Sequence, residues 1–202
     1  MQHIHHLSKD KKLKKIIALQ QPVTLTKRKY VYLHLCLSIM SQQLSTQVAQ
    51  VFHQRFLKLY AGKKPSLQQI ADTPFEVLRG IGLSNAKANY VLNVARFFIS
   101  EKITDTQLYK LENETLIQYL TQIKGVGRWT VEMILMFTLG REDIFALDDL
   151  GIQQAICKLY LLDPADKKKM KENMALISKA WSPYRTYACV YLWGWKDNTP
   201  SA

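Results

Sequence analysis

The segment Leu120-Thr-Gln-Ile-Lys-Gly-Val-Gly-Arg-Trp-Thr-Val-Glu-Met133 predicts two helices joined by a tight turn. Its glycines, Gly125 and Gly127, permit positive φ and the close approach of another backbone. The helix after the turn presents its N-terminal amides there, and such amides are a natural binding site for phosphate. An ordinary helical hairpin with a glycine C-cap gives the same pattern. Because Lys124 and Arg128 flank the turn in a chain of net charge +12, we favour phosphate binding.

A weaker copy of this pattern lies upstream. Leu78-Arg-Gly-Ile-Gly82 has the same Gly-x-Gly spacing and precedes a helical segment from Ser84 to Phe98. Here the ordinary turn with a glycine C-cap is the preferred interpretation. The segment from Leu120 to Met133 is therefore the stronger candidate for a phosphate contact.

Helical periodicity continues on both sides of the hairpin and predicts an all-α fold. Apolar residues recur near helical spacing over residues 30–60, and strand-like alternation is almost absent. Ser66 and Asp72 are expected to be N-caps of short helices, because Pro65 and Pro74 break the chain beside them. Further helices are predicted over Ala86–Ile99, Glu114–Gln122, Arg128–Leu139, Leu150–Leu161, Ala165–Trp181 and Pro183–Trp193.

The composition limits the class of protein. Of 202 residues, 48% are hydrophobic and 22% charged, so the chain can bury a core and is not disordered. Its apolar stretches are too short to span a bilayer. The three cysteines, Cys36, Cys157 and Cys189, form no Cys-x-x-Cys pair, which favours a reducing compartment. We expect a cytoplasmic protein, associated with the nucleoid if the source is bacterial, and no membrane contact.

The net charge of +12 suggests a polyanionic partner, usually nucleic acid. Many intracellular proteins with basic surfaces bind nothing anionic, so the charge alone leaves both interpretations open. The histidines His3, His5 and His6 are close enough in sequence to allow a metal site. We favour instead that these residues belong to a helical N-terminal extension.

Two adjacent carboxylates, Asp148 and Asp149, stand between an apolar segment and the predicted helix that starts at Leu150. One of them is expected to be the N-cap of that helix. Since adjacent residues cannot both adopt the capping geometry, the other is expected to point elsewhere and is a candidate for electrostatic or general-base chemistry. Aromatic residues near the hairpin and the C-terminus are mostly expected in the core, although tryptophan faces also stack on extruded bases.

Taken together, these residues resemble the helix-hairpin-helix DNA glycosylase superfamily, and within it the 3-methyladenine DNA glycosylase II branch. The resemblance covers roughly residues 30–195 and rests on several segments in order: Ser38-Ile-Met-Ser-Gln-Gln-Leu-Ser45, Leu78-Arg-Gly-Ile-Gly-Leu-Ser-Asn-Ala-Lys-Ala88, the hairpin, Asp148-Asp149-Leu-Gly-Ile152 and Trp181-Ser-Pro-Tyr-Arg-Thr-Tyr187. It implies a two-lobed helical fold with the DNA and the base pocket in the cleft between the lobes. It also implies a basic helical extension at residues 1–29 and a glycosylase domain at residues 30–202, with the hairpin at 120–133 and a catalytic loop at 144–152.

The same resemblance implies roles for individual residues. Asp149 matches the catalytic aspartate. The base pocket is expected to be lined by Trp129, Trp193 and Met133. Residues that match DNA-binding positions are Gln42, Gln43 and Leu44, and in the hairpin Lys124, Gly125, Val126, Gly127, Arg128 and Thr130. The segment after Gln42, either Gln43 or Leu44, matches the region where the family has a wedge that fills the gap left by a flipped base. The backbone carbonyls of Thr121, Ile123 and Val126 match positions that hold a monovalent cation.

The implied activity is that of a monofunctional glycosylase, which flips out alkylated purines such as 3-methyladenine or 7-methylguanine and excises them from double-stranded DNA. Relatives that also cut the strand have a nucleophilic lysine where this chain has Trp129, so no lyase activity is expected. Only Cys157 and Cys189 fall in the C-terminal half, which leaves too few ligands for an iron–sulfur cluster. The protein is expected to be a monomer. Two alternatives remain: a DNA-binding or damage-sensing protein without excision, or a glycosylase for another damaged base.

Overall fold

The computed structural model describes residues 1–198, which contain 13 α-helices and no strand. The predicted all-α fold is thus confirmed for this part of the chain. The helices form two compact units. One, the central unit, is Lys27–Leu139, and the other, the terminal unit, combines Met1–Thr26 with the chain from Gly140 onward. None of the helices in the described part is long and apolar enough to cross a membrane.

The central unit is built around two helices that pack on each other, α3 and α7. Cys36 and Ile39 of α3 and Val91 and Val94 of α7 are fully buried. Helices α4, α5 and α10 pack against this pair and cover it. The helices of this unit are α3 Val31–Ser41, α4 Thr46–Lys58, α5 Leu67–Ala71, α6 Phe75–Gly80, α7 Asn85–Ser100, α8 Asp105–Lys110, α9 Asn113–Leu120 and α10 Arg128–Phe137.

The terminal unit is centred on α13, against which α11 and α2 pack. Trp181 is fully buried in this unit, and its indole N–H donates to Asp10, 3.2 Å away. Asp10 is also the N-cap of α2, where its side chain accepts from the amides of Lys12 and Leu13. The N-terminal residues are therefore part of the packed unit. Its helices are α1 Gln2–Leu7, α2 Lys11–Ile17, α11 Leu150–Tyr160, α12 Lys167–Lys179 and α13 Arg185–Asp197.

Most predicted helices lie within a few residues of the observed bounds, but two local predictions need correction and one helix was missed. The helical pattern over residues 30–60 is two helices, separated by a loop at residues 42–45. Ser66 is an N-cap as predicted, with a capping box to Gln69. Asp72, by contrast, lies at the C-terminus of α5, because Pro74 fixes an extended backbone immediately before α6 and is itself the N-cap residue. Helix α8 was not predicted.

Candidate active site and DNA-binding hairpin

The hairpin turn between α9 and α10 contains a glycine that the fold requires. Gly125 has φ +103°, a conformation that side-chain-bearing residues rarely adopt. An ideal Cβ built on it would lie 2.0 Å from Cγ of Tyr90, on α7. The backbone of the turn thus rests directly on the Tyr90 ring. Asn93 holds the same segment by donating from its side-chain amide to the carbonyl of Lys124, at 3.1 Å.

The second glycine of the turn is explained differently. Gly127 is the N-cap residue of α10, with φ −91° and an exposed surface. A Cβ there would meet no atom of the protein within 4 Å. Neither its φ nor its packing requires glycine, so the open space beside it is available to a partner. The first amides of a helix have no intrahelical acceptor, and here they start at this open surface.

The two basic residues beside the turn have different surroundings. Lys124 is exposed. Arg128, half exposed, donates to both carboxylate oxygens of Glu114, at 2.7 and 2.9 Å, and to Glu132 at 3.1 Å. The hydrogen bond and charge of Glu114 raise the pKa of Arg128, and the guanidinium lowers the pKa of Glu114. Two carboxylates therefore offset much of the charge that Arg128 was expected to offer to DNA.

The side chain of Thr130, which was predicted to bind DNA, is buried. Thr130 was expected at the DNA interface, but it is only 2% exposed. Its hydroxyl accepts a hydrogen bond from the side-chain amide of Gln42, at 3.1 Å. The buried hydroxyl therefore joins α10 to the loop between α3 and α4, and the side chain does not face a partner.

That loop, residues 42–45, carries the predicted wedge. Gln43 at its tip is exposed and has φ +60°, in the left-handed region. Leu44 is partly buried, and its amide donates to the carbonyl of Ser41 at 3.1 Å. Of the two predicted wedge residues, Gln43 is the more exposed. Gln42, which precedes them, is held toward α10 by its bond to Thr130.

The candidate catalytic carboxylate lies at the N-terminus of α11. Asp149 is the N-cap of that helix, and its Oδ1 accepts from the amide of Ile152 at 2.8 Å. The same oxygen accepts from the indole N–H of Trp193, on α13, also at 2.8 Å. Asp148 points to solvent and forms an ion pair with Lys171 at 2.6 Å. Asp149 is thus the capping residue of the pair, so the residue that the resemblance makes catalytic is also the one that caps α11.

The contact between Asp149 and Trp193 was not predicted, since the resemblance placed Trp193 in the base pocket only. An adjacent glycine makes room for it. A Cβ on Gly151 would lie 3.0 Å from Cδ1 of Trp193 and 3.1 Å from Oδ1 of Asp149. Asp149 and Trp193 are 44 residues apart and lie at different helices, and the sequence contains no signal for a contact over such a separation. Gly151 is the one sequence feature that could have indicated that another side chain packs closely on the first turn of α11.

The other predicted base-pocket residues lie in the central unit, on α10. Trp129 and Met133 are four residues apart, so they share one face of that helix. Met133 lines a cavity of about 320 Å³ whose opposite wall is formed by α3 and α4. Polar side chains that sequence reasoning missed line the same cavity: His34, Ser38, Ser41 and His53. Burial, followed by the charge of Arg28, lowers the pKa of His34.

The predicted metal sites differ in their support. No group of three or more histidine, cysteine or acidic side chains that could hold a metal is present in residues 1–198, so the three-histidine site is not formed there. His3 instead stacks on the Tyr187 ring at 3.9 Å. Among the carbonyls proposed for a monovalent cation, that of Ile123 accepts from the amide of Val126 at 2.9 Å. A carbonyl oxygen has a second lone pair, so this bond is compatible with cation binding.

Comparison with known proteins identifies the family of this chain. The profile of the HhH-GPD superfamily, described as base excision DNA repair proteins, matches residues 36–182. The sequence is 37% identical over 185 residues to DNA-3-methyladenine glycosylase 1 of Schizosaccharomyces pombe, covering 91% of this chain and 80% of that protein.

Two solved structures extend the similarity to the fold. A 3-methyladenine DNA glycosylase of Schizosaccharomyces pombe in complex with abasic DNA is 35% identical, with a TM-score of 0.83 and coverage of 96% of this chain and 95% of that chain. A DNA-3-methyladenine glycosidase of Bacillus halodurans is 33% identical, with a TM-score of 0.81 and coverage of 96% and 88%. With the family profile spanning most of its length, this chain belongs to the HhH-GPD superfamily of base excision DNA repair proteins.

Proposed function

We propose that this protein is a monofunctional DNA glycosylase that excises alkylated purines of the 3-methyladenine and 7-methylguanine type from double-stranded DNA. The observation that carries the proposal is the fixed carboxylate of Asp149, hydrogen-bonded by the N-terminus of α11 and by Trp193. The names of the similar proteins from Schizosaccharomyces pombe and Bacillus halodurans support 3-methyladenine as the type of substrate.

The chemistry requires little beyond a well-placed negative charge. Cleavage of the glycosidic bond builds positive charge on the sugar, and a carboxylate near the anomeric carbon stabilises it or orients the attacking water. Alkylated purines already carry positive charge and leave easily, so the enzyme mainly has to extrude and shelter the base. Two donors on Oδ1 of Asp149 fix the orientation of the carboxylate before the substrate arrives.

A lyase step is not part of the proposal. Strand cleavage by β-elimination needs a lysine amine that attacks the sugar, and in this chain Trp129 occupies the position directly after the first residue of α10. Trp129 instead offers an aromatic face on the same side of α10 as Met133, where an extruded base could stack.

DNA binding is assigned to the hairpin, with the net charge of +12 as the long-range attraction. The amides that begin α10 at Gly127 would bind a phosphate, and Lys124 would add a positive charge. A monovalent cation on the carbonyls of Thr121, Ile123 and Val126 would supply further positive charge at the same turn. We also propose that the protein acts as a monomer.

The direct test is the release of free bases from methylated duplex DNA, separated by chromatography, with the strands analysed in parallel. We expect 3-methyladenine or 7-methylguanine to be released while the strands remain unbroken until abasic sites are cleaved by added alkali. Strand breaks without alkali would contradict the monofunctional assignment. Tight DNA binding without release would favour the non-catalytic DNA-binding protein, and release of a different damaged base would change the substrate class.

Trp193→Phe is expected to reduce the single-turnover excision rate about tenfold, because it removes a hydrogen bond to a charged group while keeping an aromatic ring. The matched control is Trp195→Phe on the same helix, whose ring lies beside Lys158 instead. The control should excise at the wild-type rate. Equal rates for Trp193→Phe and wild type would show that the hydrogen bond from Trp193 is not needed to orient Asp149.

A further inference from the structure

The loop at residues 42–45 has a conformation that its own sequence does not favour. Gln43 has φ +60°, although it has a side chain and a glycine would adopt this conformation more easily. Non-glycine residues remain in the left-handed region only where surrounding contacts hold them there. The loop lies between α3 and α4 and includes the most exposed candidate for the wedge, so what holds it is relevant to function.

A partly buried lysine on α7 provides two of these contacts. The ammonium of Lys87, on α7, donates to the carbonyl of Met40 at 2.9 Å and to the carbonyl of Gln42 at 2.8 Å. Both carbonyls belong to the C-terminal end of α3, where acceptors lack intrahelical donors and a positive charge is favourable. Burial lowers the pKa of Lys87. The side chain is thus directed at two backbone oxygens at the end of α3, one of which belongs to Gln42, the residue directly before Gln43.

Two further polar contacts hold the loop from other helices. The side-chain amide of Gln42 donates to Thr130 on α10 at 3.1 Å. On the α4 side, Nε2 of His53 lies 3.0 Å from the carbonyl of Leu37 and 2.9 Å from the hydroxyl of Ser41. The start of the loop and the end of α3 before it are therefore held by hydrogen bonds from α7, α10 and α4.

Packing beneath the loop is incomplete, which increases the importance of these bonds. A cavity of about 300 Å³ lies under residues 42–44 and is lined by Phe52, Leu83 and Lys87 on its other side. Because the loop does not rest on a filled apolar surface, dispersion contacts alone do not fix its conformation. Removing the lysine would leave two helix-end carbonyls without this donor and the loop free to move into the cavity.

We propose that Lys87 is a positioning residue, which holds the loop at residues 42–45 in the conformation that lets Gln43 enter the gap left by a flipped base. The role rests on the proposed function, since it presumes that a base is extruded. Lys87 itself does not touch the DNA. It acts through the carbonyls of Met40 and Gln42, and the conformation of Gln43 is the result.

The test compares Lys87→Met, Lys87→Arg and the control Arg96→Met, which removes an exposed charge from the same helix. Each is assayed under single-turnover conditions on a duplex with 7-methylguanine paired to cytosine, and on one with the lesion opposite a tetrahydrofuran abasic analogue. The wedge offsets the cost of breaking a pair, and the second duplex has no pair to break. We expect Lys87→Met to lose about tenfold or more on the paired lesion and less than about twofold on the unpaired one.

The conservative variant and the control sharpen the interpretation. Lys87→Arg keeps donors at this position and should restore most of the rate on the paired lesion, while Arg96→Met should match wild type on both duplexes. Equal losses by Lys87→Met on the two duplexes would overturn the proposal, because a merely structural defect reduces both. Wild-type rates on both would overturn it as well.

A second measurement does not depend on catalysis. Fluorescence of 2-aminopurine next to a tetrahydrofuran site in duplex DNA increases when a side chain enters the gap and unstacks the probe. We expect wild type and Lys87→Arg to produce the increase, and Lys87→Met to bind this DNA without it. If wild type produced the increase but released no base, the proposed excision would fail while the role of Lys87 stood. Should Lys87→Met not fold, Thr130→Val, which removes the acceptor of Gln42, is expected to show the same pattern.

Discussion

Asp149→Asn is expected to abolish detectable excision, with a loss of about a hundredfold or more in the single-turnover rate, while DNA binding stays intact or becomes stronger. Asparagine is as good an N-cap as aspartate, and its carbonyl oxygen can accept from both Ile152 and Trp193 as Oδ1 does now. The substitution therefore removes the negative charge and little else. The measurement is base release from methylated duplex DNA together with affinity for an abasic-site duplex.

The neighbouring aspartate provides the matched control. Asp148→Asn also removes one negative charge from the same loop, but Asp148 is exposed and pairs with Lys171. Exposed ion pairs contribute little to stability, so the variant should fold normally and excise at close to the wild-type rate. Excision by Asp149→Asn at the wild-type rate, or an equal loss in both variants, would show that Asp149 is not the catalytic carboxylate.

Gly125→Ala is expected to destabilise the protein by about 3 kcal/mol or more, measured by urea unfolding. Two costs combine: the left-handed backbone at φ +103°, and a Cβ placed 2.0 Å from the Tyr90 ring. Gly62→Ala separates them, since Gly62 has φ +73° but a Cβ there meets nothing within 4 Å. That control should lose only about 1 kcal/mol. Similar losses in the two variants would mean that the contact with Tyr90 contributes nothing.

Gly127→Thr is the complementary variant of the same turn. Threonine and glycine are comparable N-caps, and the φ of −91° suits a β-branched residue, so stability should be unchanged. The added side chain occupies the open space beside the first amides of α10 and should weaken DNA binding about tenfold. Unchanged affinity would indicate that phosphate does not approach there. Glycine at position 127 would then be required neither by the fold nor by DNA binding.

Local patterns predicted a large part of this fold. The period of apolar residues predicted the long helices to within a few residues, as for α7 and α11, because one buried face fixes that spacing wherever the helix packs. The predicted helix bounds were wrong where a helix ends because of tertiary contacts, which the apolar period does not report. The break at residues 42–45 is an example, since its apolar positions continue helical spacing while Lys87 and Thr130 hold the chain in a loop.

The sequence by itself determined the helical class and the position of the Gly-x-Gly turn, and through resemblance it led to the proposal that Asp149 is catalytic. These features depend on residue type and local spacing. Only the tertiary structure decided which residues act together. It placed Trp193 on the carboxylate of Asp149, directed Lys87 at the end of α3, paired Arg128 with Glu114 and buried Thr130. Such contacts join helices that are distant in sequence, and they follow from how the helices pack, which no local period encodes.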